Sequence, residues 1–268
     1  MKIGLTLPSF VRDIDVPLAV ATKADRDGVS GVFAYDHLFR TGSDGARRPS
    51  IECFALMTAV ARETKSVNVG SLVIRASLRP VAVVASSLAT VAAIAGSSRL
   101  IAGIGAGDTE SRAEHDAFGI AFPALDDRVA TLRSAAIAAS DAVPGMQVWV
   151  AGTHHKVRAV AGEIGALNVW GVDVQRFASF ARELHAANAD AVATWGGLVV
   201  LGDDDQHAHE RAAQMGAPRS ATVGGAHTVA RQLAAYRDAG AQWCVLAPID
   251  ASNLNNSNWC AAVQDELR

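Results

Sequence analysis

The chain has 268 residues, of which 50% are hydrophobic and 19% are charged, and this is enough apolar material for a large core. A net charge of -3 and an isoelectric point near 6.2 exclude a general electrostatic attraction to nucleic acid or acidic membranes. Cys53, Cys244 and Cys260 lie far apart without metal-ligand spacing, so we expect reduced packing residues. The opening segment MKIGLTLPSF lacks a signal-peptide pattern, and we expect a cytoplasmic protein without a membrane span.

Short apolar runs alternate with longer, alanine-rich amphipathic segments along the chain. The predicted strands are Ile3–Leu7, Gly31–Tyr35, Val67–Ile74, Leu100–Ile104, Gln147–Ala151, Leu167–Trp170, Leu198–Leu201 and Trp243–Leu246. The predicted helices are Pro17–Asp27, Ile51–Glu63, Pro80–Ala95, Ala124–Ala139, Lys156–Ile164, Val174–Ala187, Thr228–Ala239 and Asn255–Leu267. Clear periodicity is missing from Asp36–Ser50, Gly105–Pro123 and Asp203–Val223.

This alternation indicates a parallel sheet, because each crossover has to return over one face of the sheet. Eight strand–helix units in a chain of this length fit the α/β class and a closed (β/α)8 TIM barrel, whereas an open doubly wound sheet usually has fewer strands. No linker or change of composition divides the chain, so we predict a single domain over residues 1–268.

The segment RLIAGIGAGDTESRAEHDAFG places Gly103, Gly105 and Gly107 at alternate positions of the fourth predicted strand. A dinucleotide-binding turn has G-x-G-x-x-G spacing after the first strand and runs directly into a helix. Here the spacing is G-x-G-x-G, and Asp108 and Glu110 would repel a pyrophosphate. We interpret the glycines as a simple tight loop or as bare backbone beneath a flat cofactor.

Two further motifs end predicted strands. In YDH, Asp36 can orient His37 as a general base, although a capping Asp beside a partly exposed His is the alternative. In AGTHHK, Gly152 and Thr153 precede a helix, which suits a phosphate site or an ordinary N-cap. The histidine pairs in THHK and QHAHE do not supply three convergent ligands, so we predict no metal site and no metal-dependent hydrolase.

Six segments in chain order resemble the bacterial luciferase-like monooxygenase family, and especially its coenzyme F420- or flavin-dependent oxidoreductases. They are KIGLTLP, GVSGVFAYDHLF, VGSLVIRASLRPVAVVASSLATV, GSSRLIAGIGAGDTESRAEHDAFG, VWVAGTHHKVRAVAGEIGALNVWG and VGGAHTVARQLAAYRDAGAQWCVLAP. The resemblance implies a (β/α) barrel, in agreement with the strand count. It also implies a homodimer and a flavin-type cofactor, coenzyme F420 or alternatively FMN.

The resemblance further implies roles for individual residues. His37 would be the catalytic acid/base and Asp108 a proton donor, at a place where some deazaflavin dehydrogenases carry Glu. The Leu72–Val73 peptide would be cis and would support the middle ring of the cofactor. The implied cofactor-binding residues are Asp36, His37, Gly70, Ser71, Leu72, Val73, Gly105, Ala106, Gly107, Ala151, Gly152, Thr153, His154 and His155.

We therefore predict an oxidoreductase that transfers a hydride between the deazaflavin ring and a small organic substrate. The alternatives are an FMN-dependent monooxygenase that uses reduced flavin and O2, with a flavin reductase as partner, and a non-catalytic flavin-binding barrel. The substrate is not predicted, although Arg40, Arg47 and Arg48 suit an anion or a solvated loop. Trp170 and Trp195 end predicted strands, where each can line a substrate pocket or belong to the core.

Overall fold

The computed structural model describes residues 1–42 and 45–268. Its strands in chain order are β1 (Lys2–Thr6), β2 (Gly31–Ala34), β3 (Phe39–Thr41), β4 (Arg47–Pro49), β5 (Asn68–Arg75), β6 (Leu100–Gly105), β7 (Gln147–Ala151), β8 (Ala166–Trp170), β9 (Val192–Leu201), β10 (Thr222–Gly224) and β11 (Ala241–Pro248). Its helices are α1 (Asp15–Asp27), α2 (Cys53–Glu63), α3 (Val81–Ala95), α4 (Arg112–Ala117), α5 (Leu125–Ala142), α6 (His155–Ile164), α7 (Val174–Ala187), α8 (Asp205–Met215), α9 (Ala226–Asp238) and α10 (Asn255–Glu266).

Eight parallel strands close into a barrel in the order β1, β2, β5, β6, β7, β8, β9 and β11, and β11 pairs with β1. Each overlaps one of the predicted strands, so the predicted (β/α)8 barrel is confirmed. Strand β10 pairs with the end of β9, and β3 and β4 form an antiparallel hairpin after β2. Within the described residues, no helix combines the length and apolar character needed to cross a membrane.

The structure corrects the prediction in three places. Strand β9 begins at Val192 rather than at Leu198. The prediction missed its first half because Gly196 and Gly197 interrupt the apolar pattern, at positions where the rings of Trp170 and Trp195 need space. The segment Asp203–Val223 contains α8, which buries only Ala208 fully and therefore has no apolar stripe. The aperiodic Asp36–Ser50 segment contains the strands β3 and β4, and Ser43 and Asp44 lie outside the described residues.

An aromatic cluster fills the interior of the barrel. Its buried members are Phe33, Leu72, Ile101, Trp149, Ala166, Trp243 and Val245. Phe33 stacks on Trp149 with ring centroids 5.5 Å apart, and Trp149 meets Trp243 at the same centroid distance. A Cβ at Gly4 or Gly70 would lie within 2.6 Å of the Phe33 ring, so glycine is needed beside it. This aromatic plug separates the two ends of the barrel.

Candidate active site at the barrel mouth

The predicted site residues collect at the C-terminal ends of four adjacent barrel strands, β2, β5, β6 and β7. Asp36 and His37 follow β2, and the residues Gly105 to Asp108 end β6. Gly152 to His155 connect β7 to α6. This is the face on which (β/α)8 enzymes carry their catalytic groups. Some predicted residues lie elsewhere: Gly70 is deeper, against Phe33, the Leu72 side chain belongs to the aromatic plug, and Ala106 packs in the outer core.

The Leu72–Val73 peptide is cis, as predicted, and the pairing of β5 with β6 shifts register there. This bulge explains the alternate glycines. A Cβ on Gly103 would lie 2.3 Å from the carbonyl oxygen of Ser71, and one on Gly105 would lie 2.8 Å from Val73 Cγ2. Gly107 has φ +77°, in the left-handed region. Gly103 and Gly105 therefore leave room for the bulge, and Gly107 forms the turn.

We expect Gly105→Ala to lower the free energy of unfolding by about 1–3 kcal/mol, because the new methyl group overlaps the Val73 side chain. Val73→Ala in the same chain should recover most of this loss. Gly103→Ala is the matched control, since its clash is with backbone and Val73→Ala cannot relieve it. Urea unfolding of the double-mutant cycles measures both effects, and additive losses in the Gly105 cycle would contradict the prediction.

Asp36 is buried and joins the end of β2 to the end of β5. Its carboxylate accepts hydrogen bonds from the Arg75 N–H at 3.0 Å and from the Arg79 guanidinium at 2.7 and 2.9 Å. Arg75 Nε returns a hydrogen bond to the Asp36 carbonyl oxygen at 2.7 Å. The Asp36 carboxylate thus positions two arginines, and another carboxylate orients the neighbouring His37.

That other carboxylate is Glu114 of α4. Glu114 Oε1 lies 2.7 Å from His37 Nδ1, and the Glu114 carboxylate accepts two hydrogen bonds from Arg75, at 3.2 and 2.8 Å. The Leu38 N–H donates to Oε2 at 2.5 Å. Burial by itself raises the pKa of Glu114, but the bonds from His37 and Leu38 and the charges of His37 and Arg75 outweigh it and lower the pKa to about 2. Glu114 is therefore ionised at neutral pH.

The sequence analysis missed Glu114. It lies 77 positions from His37, in the aperiodic Gly105–Pro123 segment, and its helix has only six residues. An acid within such a short helix has no spacing pattern that singles it out, so the available signal was its location in a stretch that follows a barrel strand.

The contact with Glu114 defines the state of His37. Because Nδ1 faces an ionised carboxylate, we assign the proton to Nδ1, which leaves the lone pair of Nε2 available. The His37 side chain remains 40% exposed, whereas that of Glu114 is 7% exposed. The ring of Phe10 lies beside the imidazole at a centroid distance of 5.5 Å. His37 can therefore exchange a proton with a bound molecule while Glu114 stabilises its charged form.

Asp108 is exposed and caps a short 3-10 helix, with Oδ1 accepting the Ser111 N–H at 3.0 Å. Close to it, Ser77 Oγ is buried and has no hydrogen-bond partner among residues 1–42 and 45–268. A Cβ on Gly107 would be 3.8 Å from this hydroxyl. Buried hydroxyls usually have a partner, so Ser77 leaves a polar position at the mouth for a bound group.

The start of α6 is the predicted phosphate site. His154 is the N-cap and its Nδ1 accepts the Lys156 N–H at 3.3 Å, while the first N–H groups of a helix lack acceptors within it. The bases there are already paired: Lys156 with Asp126, and Arg158 with Glu183 and the Thr153 carbonyl oxygen. A phosphate would therefore rely on backbone N–H groups and on the Thr153 hydroxyl.

The N-terminus of α9 follows the seventh barrel strand, where barrel enzymes often bind phosphate. Here the Asp205 carboxylate accepts the Gly225 N–H at 2.8 Å and the Thr228 hydroxyl at 2.7 Å. These two hydrogen bonds lower the pKa of Asp205, so the carboxylate stays charged. The Asp205 carboxylate therefore already accepts the hydrogen bonds that a phosphate would need at the start of α9. The N-terminus of α6 is the better phosphate site.

Comparison with known proteins agrees with this fold. A family model described as luciferase-like monooxygenase matches residues 1–220, and the chain therefore belongs to that family. A search of curated proteins finds no match.

Solved structures with similar folds include enzymes with different reactions. An F420-dependent secondary alcohol dehydrogenase, in complex with an F420-acetone adduct, has a TM-score of 0.78 and 17% identity over 100% of this chain and 99% of that one. The F420-dependent tetrahydromethanopterin reductase from Methanopyrus kandleri gives 0.76 and 13% over 100% and 99%. EDTA monooxygenase from Chelativorans sp. BNC1 gives 0.78 and 12% over 99% and 93%.

Proposed function

We propose that the protein is an oxidoreductase that uses coenzyme F420 to move a hydride to or from a small organic substrate. The observation that carries this proposal is the exposed imidazole of His37, held by the ionised Glu114 at the mouth of a luciferase-like barrel. Two of the similar structures are described as F420-dependent, and one of them is an alcohol dehydrogenase.

The mouth fits a flat ring with a phosphate-bearing tail. Above the aromatic plug, Gly105 and Ala151 present little side-chain bulk, and the cis peptide at Leu72–Val73 lies against Gly105. The unpaired hydroxyl of Ser77 offers a hydrogen bond to a polar edge of the ring. The Thr153 hydroxyl and the N-terminus of α6 would hold the phosphate.

When bound, a deazaflavin or flavin ring supplies two-electron hydride chemistry, and the protein supplies position, proton transfer and exclusion of water. For an alcohol substrate, His37 Nε2 would accept the hydroxyl proton while a bound coenzyme would supply the hydride acceptor, and the product would be a carbonyl compound. Glu114 stabilises the imidazolium, and Arg75 holds Glu114 in place. In the reverse direction His37 returns the proton to the developing alkoxide.

Titration of the purified protein with F420 and with FMN, followed by coenzyme fluorescence, tests the proposal. We expect saturable binding of F420 and, in a screen of alcohols and ketones, a substrate-dependent change in the coenzyme absorbance. Retention of FMN without binding of F420, with substrate-dependent O2 uptake, would instead support the FMN-dependent monooxygenase. Binding without turnover of any candidate would support a flavin-binding protein.

Thr153→Val should weaken F420 binding about tenfold or more, because it removes one charge-assisted hydrogen bond to the phosphate. Gly152→Val is a poorer test, since φ is +145° at Gly152 and a Cβ there would crowd Val157 Cγ1 at 3.1 Å. Thr90→Val, on the exposed face of α3, is the matched control. Equal F420 affinity of the Thr153→Val and Thr90→Val proteins would contradict a phosphate site at this position.

A further inference from the structure

One exposed indole lies at the barrel mouth outside the site described so far. Trp170 ends β8 and is 40% exposed, whereas Trp149, Trp195, Trp243 and Trp259 are all buried. Trp195 donates its indole N–H to the Val172 carbonyl oxygen and packs in the outer core. Of Trp170 and Trp195, Trp170 is therefore the one available to a ligand.

Trp170 points into the barrel. Side chains alternate along a strand, and two residues before it Asn168 reaches across the interior side of the sheet to Thr194 at 2.8 Å. Ala166, two residues earlier again, belongs to the aromatic plug. The Trp170 ring lies on Gly196 of β9, where a Cβ would be 2.7 Å from Cε3. Glycine at this position leaves room for the indole beside the backbone.

The strand order places Trp170 across the mouth from His37. Strand β2 is the second strand around the barrel and β8 is the sixth, so they are four strands apart in either direction. In an eight-stranded barrel this is the opposite wall. A molecule in contact with His37 therefore extends toward Trp170.

The two walls differ in chemistry. The charged groups Asp36, Arg75, Arg79 and Glu114 collect around His37 on the β2–β5 side. The interior-facing residues of β7, β8, β9 and β11, four strands that the structure describes in full, carry no charge. The amide of Asn168 and the hydroxyl of Thr194 are already hydrogen-bonded to each other.

We propose that Trp170 is a specificity-determining residue whose indole forms the apolar wall of the substrate site, and that the substrate is an uncharged carbonyl or alcohol compound with a planar ring beside the reacting carbon. The inference rests on the proposed function, since it takes His37 as the group that faces the reacting oxygen. The oxygen lies toward His37 and the ring stacks on Trp170, because stacking on an indole stabilises flat apolar groups. A carboxylate on the ring would be desolvated against this wall without a partner, which is unfavourable.

The test is calorimetric titration of the F420-saturated protein with acetophenone and with 4-acetylbenzoate, which differ by one carboxylate. We expect saturable binding of acetophenone, and binding of 4-acetylbenzoate at least about tenfold weaker. Trp170→Ala should weaken acetophenone binding about tenfold, and Trp170→Phe by less than about threefold. F420 affinity should stay within about threefold of the wild type in both variants. Ile94→Ala removes a similarly exposed apolar side chain from α3 and should change neither affinity.

Absence of saturable acetophenone binding to the coenzyme-loaded wild type, or equal affinities of the wild type and Trp170→Ala, would overturn the proposal. Should the alanine variant fail to fold, Trp170→Gln takes its place in the same comparison. Failure of both F420 and FMN to bind would refute the proposed function instead. In that case the acetophenone titration of the coenzyme-free wild type and variant still decides whether Trp170 forms a ligand wall.

Discussion

His37→Ala should lower saturated turnover by about 10²–10⁴-fold while F420 affinity stays close to that of the wild type. A loss of this size corresponds to about 3–5 kcal/mol of transition-state stabilisation, which is typical of general acid–base catalysis. The coenzyme should still bind, because the imidazole is hydrogen-bonded to Glu114 and does not support Gly105 and Gly107, which border the proposed coenzyme site. The fold should persist, since Glu114 keeps its bonds to Arg75 and to the Leu38 N–H.

The measurement requires steady-state kinetics at saturating coenzyme, with a substrate from the alcohol and ketone screen. His227→Ala is the matched control, because His227 on α9 also pairs with a glutamate, Glu266, but is exposed on the outer surface. Its turnover should equal that of the wild type. Saturated turnover of His37→Ala within about threefold of wild type would refute the acid/base role. Weaker coenzyme binding with an unchanged saturated rate would indicate a coenzyme contact instead.

Glu114→Gln should destabilise the protein by about 3–5 kcal/mol, because it leaves the buried Arg75 guanidinium without its charged partner. Urea unfolding measures this loss. Glu163→Gln is the control, since Glu163 forms an exposed pair with Arg133 and its loss should cost less than about 1 kcal/mol. Similar losses in the two variants would contradict a buried ionic network at the mouth.

The pH dependence of stability gives a second readout for Glu114. Its folded-state pKa of about 2 lies below the ordinary value of 4.5, so the unfolded chain binds a proton first as the pH falls. The stabilisation by Glu114 is therefore fully present above pH 4.5 and is lost as the pH falls toward 2. Glu114→Gln should flatten the decline of the free energy of unfolding in this range. An unchanged slope would show that Glu114 titrates normally.

Strong local patterns predicted most of the barrel. The runs Leu100–Ile104 and Gln147–Ala151 are short, apolar and bounded by helical segments, and both lie in barrel strands. Helix α8 and the first half of β9 lack an apolar pattern, because one is polar on nearly all sides and the other carries glycines beneath two indoles. The positions of these glycines depend on which strands are neighbours in the barrel, and a local sequence pattern does not contain that information.

The candidate site divides in the same way. His37 follows a strand directly, so its place at the mouth could be predicted from the order of the elements. Its partner Glu114 could not, because the contact joins residues 77 positions apart through a short helix. Trp170 and Trp195 are both candidates for a substrate pocket in the sequence, and only the closed barrel shows that Trp170 is exposed and Trp195 is buried.

The plug of Phe33, Trp149 and Trp243 has a kinetic consequence. Because the plug blocks the barrel interior, coenzyme and substrate would both enter and leave at the C-terminal end of the strands. In the proposed arrangement the coenzyme ring would lie deeper, on Gly105, and the substrate would cover it between His37 and Trp170. Binding would then be ordered: the coenzyme would enter before the substrate and leave after it, and a substrate molecule that bound first would block the coenzyme. An excess of substrate would slow such an enzyme by trapping spent coenzyme behind it.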